Sequence, residues 1–257
     1  MMRSANPVLN DKVFAQAGHD SNSMTISGTV NKSFILLGIL MSVAYYTWIQ
    51  IMPSTDIVNP SQVNGDTISK FFGWVIGGAI GTLIIALIIS FKKTTAPYLA
   101  PIYAACEGFL LAVISAGFEL KYPGIAFQAI SLTMAIFLAL LITYKSGLIK
   151  ATENFKLGVA AATGGIFIVY IINFIMGFFG HSMSFLHSSS PLGIGISVFI
   201  VIIAALNLVL DFDFIENGEK SRAPKYMEWY ASFALLVTLI WLYLEILRLL
   251  AKLRDRK

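Results

Sequence analysis

LGIGISVFIVIIAALNLVL, residues 192–210, runs directly into DFDFIE, residues 211–216, and that junction decides the fold. An apolar stretch of about 20 residues is long enough to cross the hydrocarbon core of a bilayer as one helix. The stretch has no strand-like alternation, which argues against a β-barrel. Working outward, six more runs of the same kind appear: Phe34 to Met52, Phe71 to Phe91, Tyr98 to Phe118, Gly124 to Thr143, Leu157 to Gly180 and Trp229 to Leu250. The expected fold is an all-α, seven-helix transmembrane bundle. Backbone polar groups in lipid must be satisfied within the helix, and no connection is long enough for a separate soluble domain.

Composition agrees. The 257 residues are 57% hydrophobic and 12% charged, with a mean hydropathy of +0.77, against roughly 25% charged in an ordinary soluble domain. Residues 1–30 mix Asn, Asp, Ser, Lys and Gly without periodicity and read as a flexible polar cytoplasmic arm ahead of a transmembrane domain at 31–257. The arm lacks the short apolar core and cleavage site of a signal peptide.

Basic residues set the expected orientation, because Lys and Arg in short loops stay in the cytoplasm. Arg3, Lys12, Lys32, Lys92, Lys93, Lys145, Lys150, Lys156, Lys220, Arg222 and Lys225 fall on one side, and only Lys70 and Lys121 on the other. The amino terminus is therefore expected inside. Seven crossings then export a basic tail (Arg248, Lys252, Arg254, Arg256, Lys257), against the rule, unless the last segment re-enters the membrane. The net charge of +4 sits in loops that face anionic lipid, so lipid is the expected partner and nucleic acid is not. The single Cys106 permits neither an intramolecular disulfide nor a thiolate metal cluster.

Carboxylates inside such spans carry the functional expectation. Each costs on the order of a few kcal/mol to insert and tends to serve an ion path, a proton relay or a buried pair. Asp211 and Asp213 lie two residues apart, about 200° around a helix, so they face different surroundings. Either both end the helix in solvent, or Asp211, the deeper one, belongs to an ion path. An Asp-x-Asp sugar-transferase metal site lacks its nucleotide domain. Glu245 precedes Arg248 by three residues and Lys252 by seven, which suits an intrahelical ion pair. Glu107 adjoins Gly108, which lets another helix backbone approach. Asn173, Gln128 and Asn207 read as interhelical glue. His181 and His187, six apart, do not have one-turn metal spacing. Gly180-His-Ser182-Met-Ser184 lacks the final glycine of a nucleophile elbow, and with no metalloprotease or phosphate-loop motif the chain is expected not to be an enzyme.

Leu242-Tyr-Leu-Glu245-Ile-Leu-Arg-Leu-Leu250, Asp211-x-x-x-Ile215, Ala100-Pro-Ile-Tyr-Ala-Ala-Cys-Glu-Gly108, Ala205-Leu-Asn-Leu-Val-Leu-Asp-Phe-Asp213 and Ala223-Pro-Lys-Tyr-Met-Glu-Trp229 together resemble the Bax-inhibitor-like membrane proteins, in a bacterial branch, over roughly Val30 to Leu253. The resemblance implies a multi-pass protein of the bacterial cytoplasmic (inner) membrane with a central last helix. It also implies a hydrogen-bonded pair of acids that senses pH and gates a calcium leak. By motif position the pair is Asp211 and Glu245, which are also the implied ligands of a transient Ca²⁺; no other cofactor is implied. Here the last-helix acid is Glu rather than Asp and the stretch between the acids is longer, which makes Glu228 an alternative partner. Lys92 or Lys93 is the implied counter-ion. Two carboxyls close together in low dielectric share one proton, so losing it on raising the pH would open the path or recruit Ca²⁺. Protons and Ca²⁺ are thus the expected small partners. A second reading is a membrane-embedded binding regulator of a protease or stress- or death-pathway protein that uses the arm. A third, proton-driven solute exchange, needs a central pocket that the sequence does not reveal.

Overall fold

The computed structural model describes residues 23–52, 65–180, 183 and 188–256. Residues 1–22 of the arm, with Arg3 and Lys12, lie outside the described residues, as do His181, Ser182, Ser184, His187 and the terminal Lys257. Among the described residues seven long helices follow one another: α1 Ile26–Ile51, α2 Gly65–Phe91, α3 Ala96–Lys121, α4 Ile125–Lys145, α5 Glu153–Phe178, α6 Pro191–Lys220 and α7 Met227–Asp255. A 3₁₀ turn, Lys93–Thr95, precedes α3. All seven are long and apolar enough to cross a membrane, and many of their outward residues, such as Phe34, Trp74, Phe91, Phe127, Phe167 and Phe174, are large and apolar. Lipid rather than water is the solvent such a surface suits.

Two boundaries differ from those expected. Helix α1 starts at Ile26, inside the stretch read as a free arm. Thr25, in an extended conformation, accepts from the Gly28 N–H as the N-cap, a local signal that apolar counting overlooks. Helix α6 does not stop at Leu210 but continues through both aspartates to Lys220, because Phe212, Phe214 and Ile215 are buried there. The last apolar segment is one uninterrupted helix, which removes the re-entrant alternative. Its most apolar stretch is 67% buried, against 56% for α3 and less for the other five.

The described residues divide into two compact units, one within 23–126 and 218–236, the other within 127–217 and 237–256. In the first, α1 packs along α3 and α3 along α2. Gly108 lets the α1 backbone come close at Leu40, as the sequence suggested. Ile51, Met52, Val113 and Ala116 form a core flanked by Trp48, Val75, Phe109 and Leu120, and Tyr103 meets Phe233 edge-on at 4.9 Å. The α3–α4 turn holds Gly124 at φ +80°, a conformation open to glycine. Glu119 accepts there from the N–H groups of Gly124 and Ala126.

In the second unit Ile166, Ile200 and Ile203 form a core packed by Ala162, Tyr170, Ile196, Leu206 and Trp241. Phe212 sits between Phe137 and Tyr144, at 5.8 and 5.7 Å. Asn207 donates to Thr163 on α5 at 2.8 Å, the interhelical bond expected of it. Asn207→Leu is expected to lower stability in detergent by about 1 kcal/mol, measurable as a shift in the helical unfolding transition.

Candidate functional site

The acids of α6 and α7 occupy distinct environments. Asp211 is 2% exposed. Asp213, around the helix, forms an ion pair with Lys156 of α5 at 2.7 Å and accepts from Asn217 at 2.9 Å. Lys156 also reaches Glu153 at 3.5 Å. The divergence of the two aspartates follows the helical spacing, but neither ends the helix in solvent. One turn beyond Phe212, Glu216 accepts from the Tyr144 hydroxyl at 2.6 Å.

Glu245, 2% exposed, accepts on Oε1 from the Tyr170 hydroxyl and from Arg248 Nη1, each at 2.8 Å. The same Arg248 nitrogen lies 3.3 Å from the Tyr170 oxygen, and the guanidinium stands over the Tyr170 ring. The intrahelical pair expected from the three-residue spacing is therefore present, with a hydroxyl from α5 added. Lys252 is 9% exposed and donates to the Gly193 carbonyl at 3.1 Å and to Ser197 Oγ at 2.7 Å. Tyr170, Asn173, Ser197, Glu245, Arg248 and Lys252 line a cavity of about 470 Å³ between α5, α6 and α7. Asn173 is also bonded locally, its Oδ1 accepting from the Met183 N–H. Glu245 thus meets a cation on its own helix and a hydroxyl from α5.

Glu228, fully buried, sits in the other unit at the start of α7. It accepts from the Thr25 N–H at 2.9 Å and the Thr25 hydroxyl at 3.0 Å, and forms ion pairs with Lys32 and, at 2.8 Å, with Lys225. Glu219 accepts from the Ile26 N–H at 2.9 Å. Helix α1 has no acid in its own first turn, so these two glutamates supply the negative charge that a helix amino terminus favours. Glu107, half-buried on α3, has the side chains of Thr82 and Tyr103 as hydrogen-bonding neighbours.

The expected counter-ions divide. Lys93 lies over the Tyr230 ring at 5.6 Å, Lys92 is exposed, and Arg248 pairs with Glu245 through one nitrogen. Gln128, read as glue, accepts from Arg254 at 3.0 Å. Among the described residues no three His, Cys, Asp or Glu side chains are grouped to hold a metal. A Ca²⁺ at Asp211 or Glu245 would therefore have to draw most of its oxygen ligands from water or backbone. Sequence reasoning missed Tyr170, Lys156, Thr25 and the burial of Lys252. One signal was available: Tyr170 and Asn173 are one turn apart on a helix that is otherwise almost wholly apolar through the membrane, marking its polar face.

A family model described as Bax inhibitor 1 like matches residues 6–255. No curated protein and no solved structure matched the chain. Seven membrane-length helices and a family match over nearly the whole sequence lead to one assignment: this chain is a multi-pass membrane protein belonging to the Bax inhibitor 1 like family.

Proposed function

We propose that the protein is a pH-sensitive cation leak pathway, with Ca²⁺ as the conducted ion, gated by buried carboxylates and without enzymatic activity. The observation that carries this reading is Asp211, nearly inaccessible within a membrane-length helix, where an ionisable side chain is costly and marks an ion or proton path. Glu245 supplies the second element. Its carboxylate, held by Arg248 and by Tyr170 of α5, joins two helices of the cavity wall. In this reading the path is shut when its buried carboxyls carry protons and opens, as pH rises, to a hard cation that accepts oxygen ligands. The excess of Lys and Arg on alternate loops supports placement in a bacterial inner membrane with the amino terminus inside.

The test is Ca²⁺ entry into dye-loaded liposomes of neutral lipid between about pH 6 and pH 8. The wild type is expected to leak faster at the higher pH. Asp211→Asn and Glu245→Gln, each fixing a neutral side chain, are expected to hold the leak low and nearly independent of pH. No leak above empty liposomes at any pH would sink the channel reading and leave the binding regulator in its place.

A further inference from the structure

The cavity between α5, α6 and α7 has a chemistry that a cation path does not require. Its charged lining residues are Glu245, Arg248 and Lys252, one anion and two cations, so the site carries one net positive charge. Lys252 is held by Gly193 and Ser197. Arg248 is half-exposed and uses Nη1 for both Glu245 and Tyr170. Among the described residues its Nη2 and Nε make no hydrogen bond and can turn to a ligand. That fork matches two oxygens of a phosphate group, and the aromatic ring beneath it fixes its plane.

The rest of the lining is apolar. Ile200 and Ile196 form an inner wall, while Ile171 and Phe174 of α5 are exposed and continue into the outward apolar face with Phe167, Ile168, Ile172 and Ile175. The cavity thus opens sideways on the surface that meets lipid, with a cationic end and a hydrocarbon-compatible mouth. Its volume of about 470 Å³ lies within the usual range for ligand sites, roughly 300–1,000 Å³.

We propose that this cavity binds the phosphodiester headgroup of an anionic phospholipid, with Arg248 gripping the phosphate, Lys252 supplying the second positive charge and the Ile171–Phe174 edge admitting the acyl chains. One negative charge neutralises the site. The proposal does not depend on the cation-leak reading, because it concerns lipid bound rather than ions moved.

The test is native mass spectrometry of the full chain in a neutral detergent, titrated separately with phosphatidylglycerol, phosphatidylcholine and inorganic phosphate. Phosphatidylglycerol is expected to bind about tenfold more tightly than phosphatidylcholine, with no displacement by inorganic phosphate. Ile196→Trp, which fills the cavity without touching a charge, is expected to abolish the preference. Arg248→Lys, which keeps the ion pair with Glu245 but loses the fork, is expected to remove most of it. Equal binding of the two lipids, or an unchanged preference in Ile196→Trp, would overturn the proposal whether or not Arg248→Lys folds. Displacement by inorganic phosphate would overturn it in favour of a soluble anion.

Discussion

Glu228→Ala lowers the unfolding free energy by about 3 kcal/mol, the range seen when one partner is removed from a buried ion pair. The carboxylate is fully enclosed and receives four donors: the Thr25 N–H, the Thr25 hydroxyl, Lys32 and Lys225. Truncation leaves two ammonium groups facing one another across the space it occupied, with a helix amino terminus deprived of its acceptor. Lys225 is 43% exposed and Lys32 16%, so water screens part of the repulsion and the loss stays at the lower end of the range.

Glu228→Gln separates charge from shape. The amide oxygen still accepts from Thr25, but neither lysine has a charged partner, so about half the loss is expected. Gly28→Ala probes the same site from α1: a Cβ at that position would overlap the Glu228 carboxyl, so it should displace the acid with no charge removed. The measurement is denaturant unfolding in detergent followed by helical circular dichroism. An alanine variant as stable as wild type would mean that the network contributes no net stability.

The contrast between these residues shows what the chain disclosed before folding. Intrahelical relations were legible: the Glu245–Arg248 pair, the separation of Asp211 from Asp213, and Gly108 as a point of close approach all follow from 3.6 residues per turn and side-chain size. The seven spans were legible because lipid imposes both length and polarity. What escaped were partners supplied by distant elements, Tyr170 for Glu245, Lys156 for Asp213 and Thr25 for Glu228. Residues 203 positions apart meet through packing that local spacing does not encode. The ends of α1 and α6 escaped for a related reason. Apolar counting stops at the first polar residue, whereas a helix continues wherever its polar groups find partners.

Gly108→Ala destabilises the protein by about 2–3 kcal/mol, the cost of overpacking a tight contact. A Cβ at position 108 would land on the carbonyl oxygen of Leu40 and within 3.1 and 3.2 Å of its carbonyl carbon and Cα. These are backbone atoms of α1, with no rotamer that moves them aside, so the two helices must separate. Separation loosens the contacts that give helices in lipid their association, since apolar side chains gain nothing there by leaving the solvent. Gly38→Ala on α1 is the control, because nothing lies within 4 Å of its added methyl and alanine is the better helix former; it should be neutral or slightly stabilising. Glu107 precedes Gly108 and has Tyr103 of the same helix and Thr82 of α2 as hydrogen-bonding neighbours, so displacing α3 disturbs a polar cluster as well as a packing seam. Parallel unfolding curves of the two alanine variants decide the matter: if Gly108→Ala is no less stable than Gly38→Ala, backbone proximity at Leu40 does not hold the α1–α3 pair together, and side-chain packing around Ile51 and Val113 must do so.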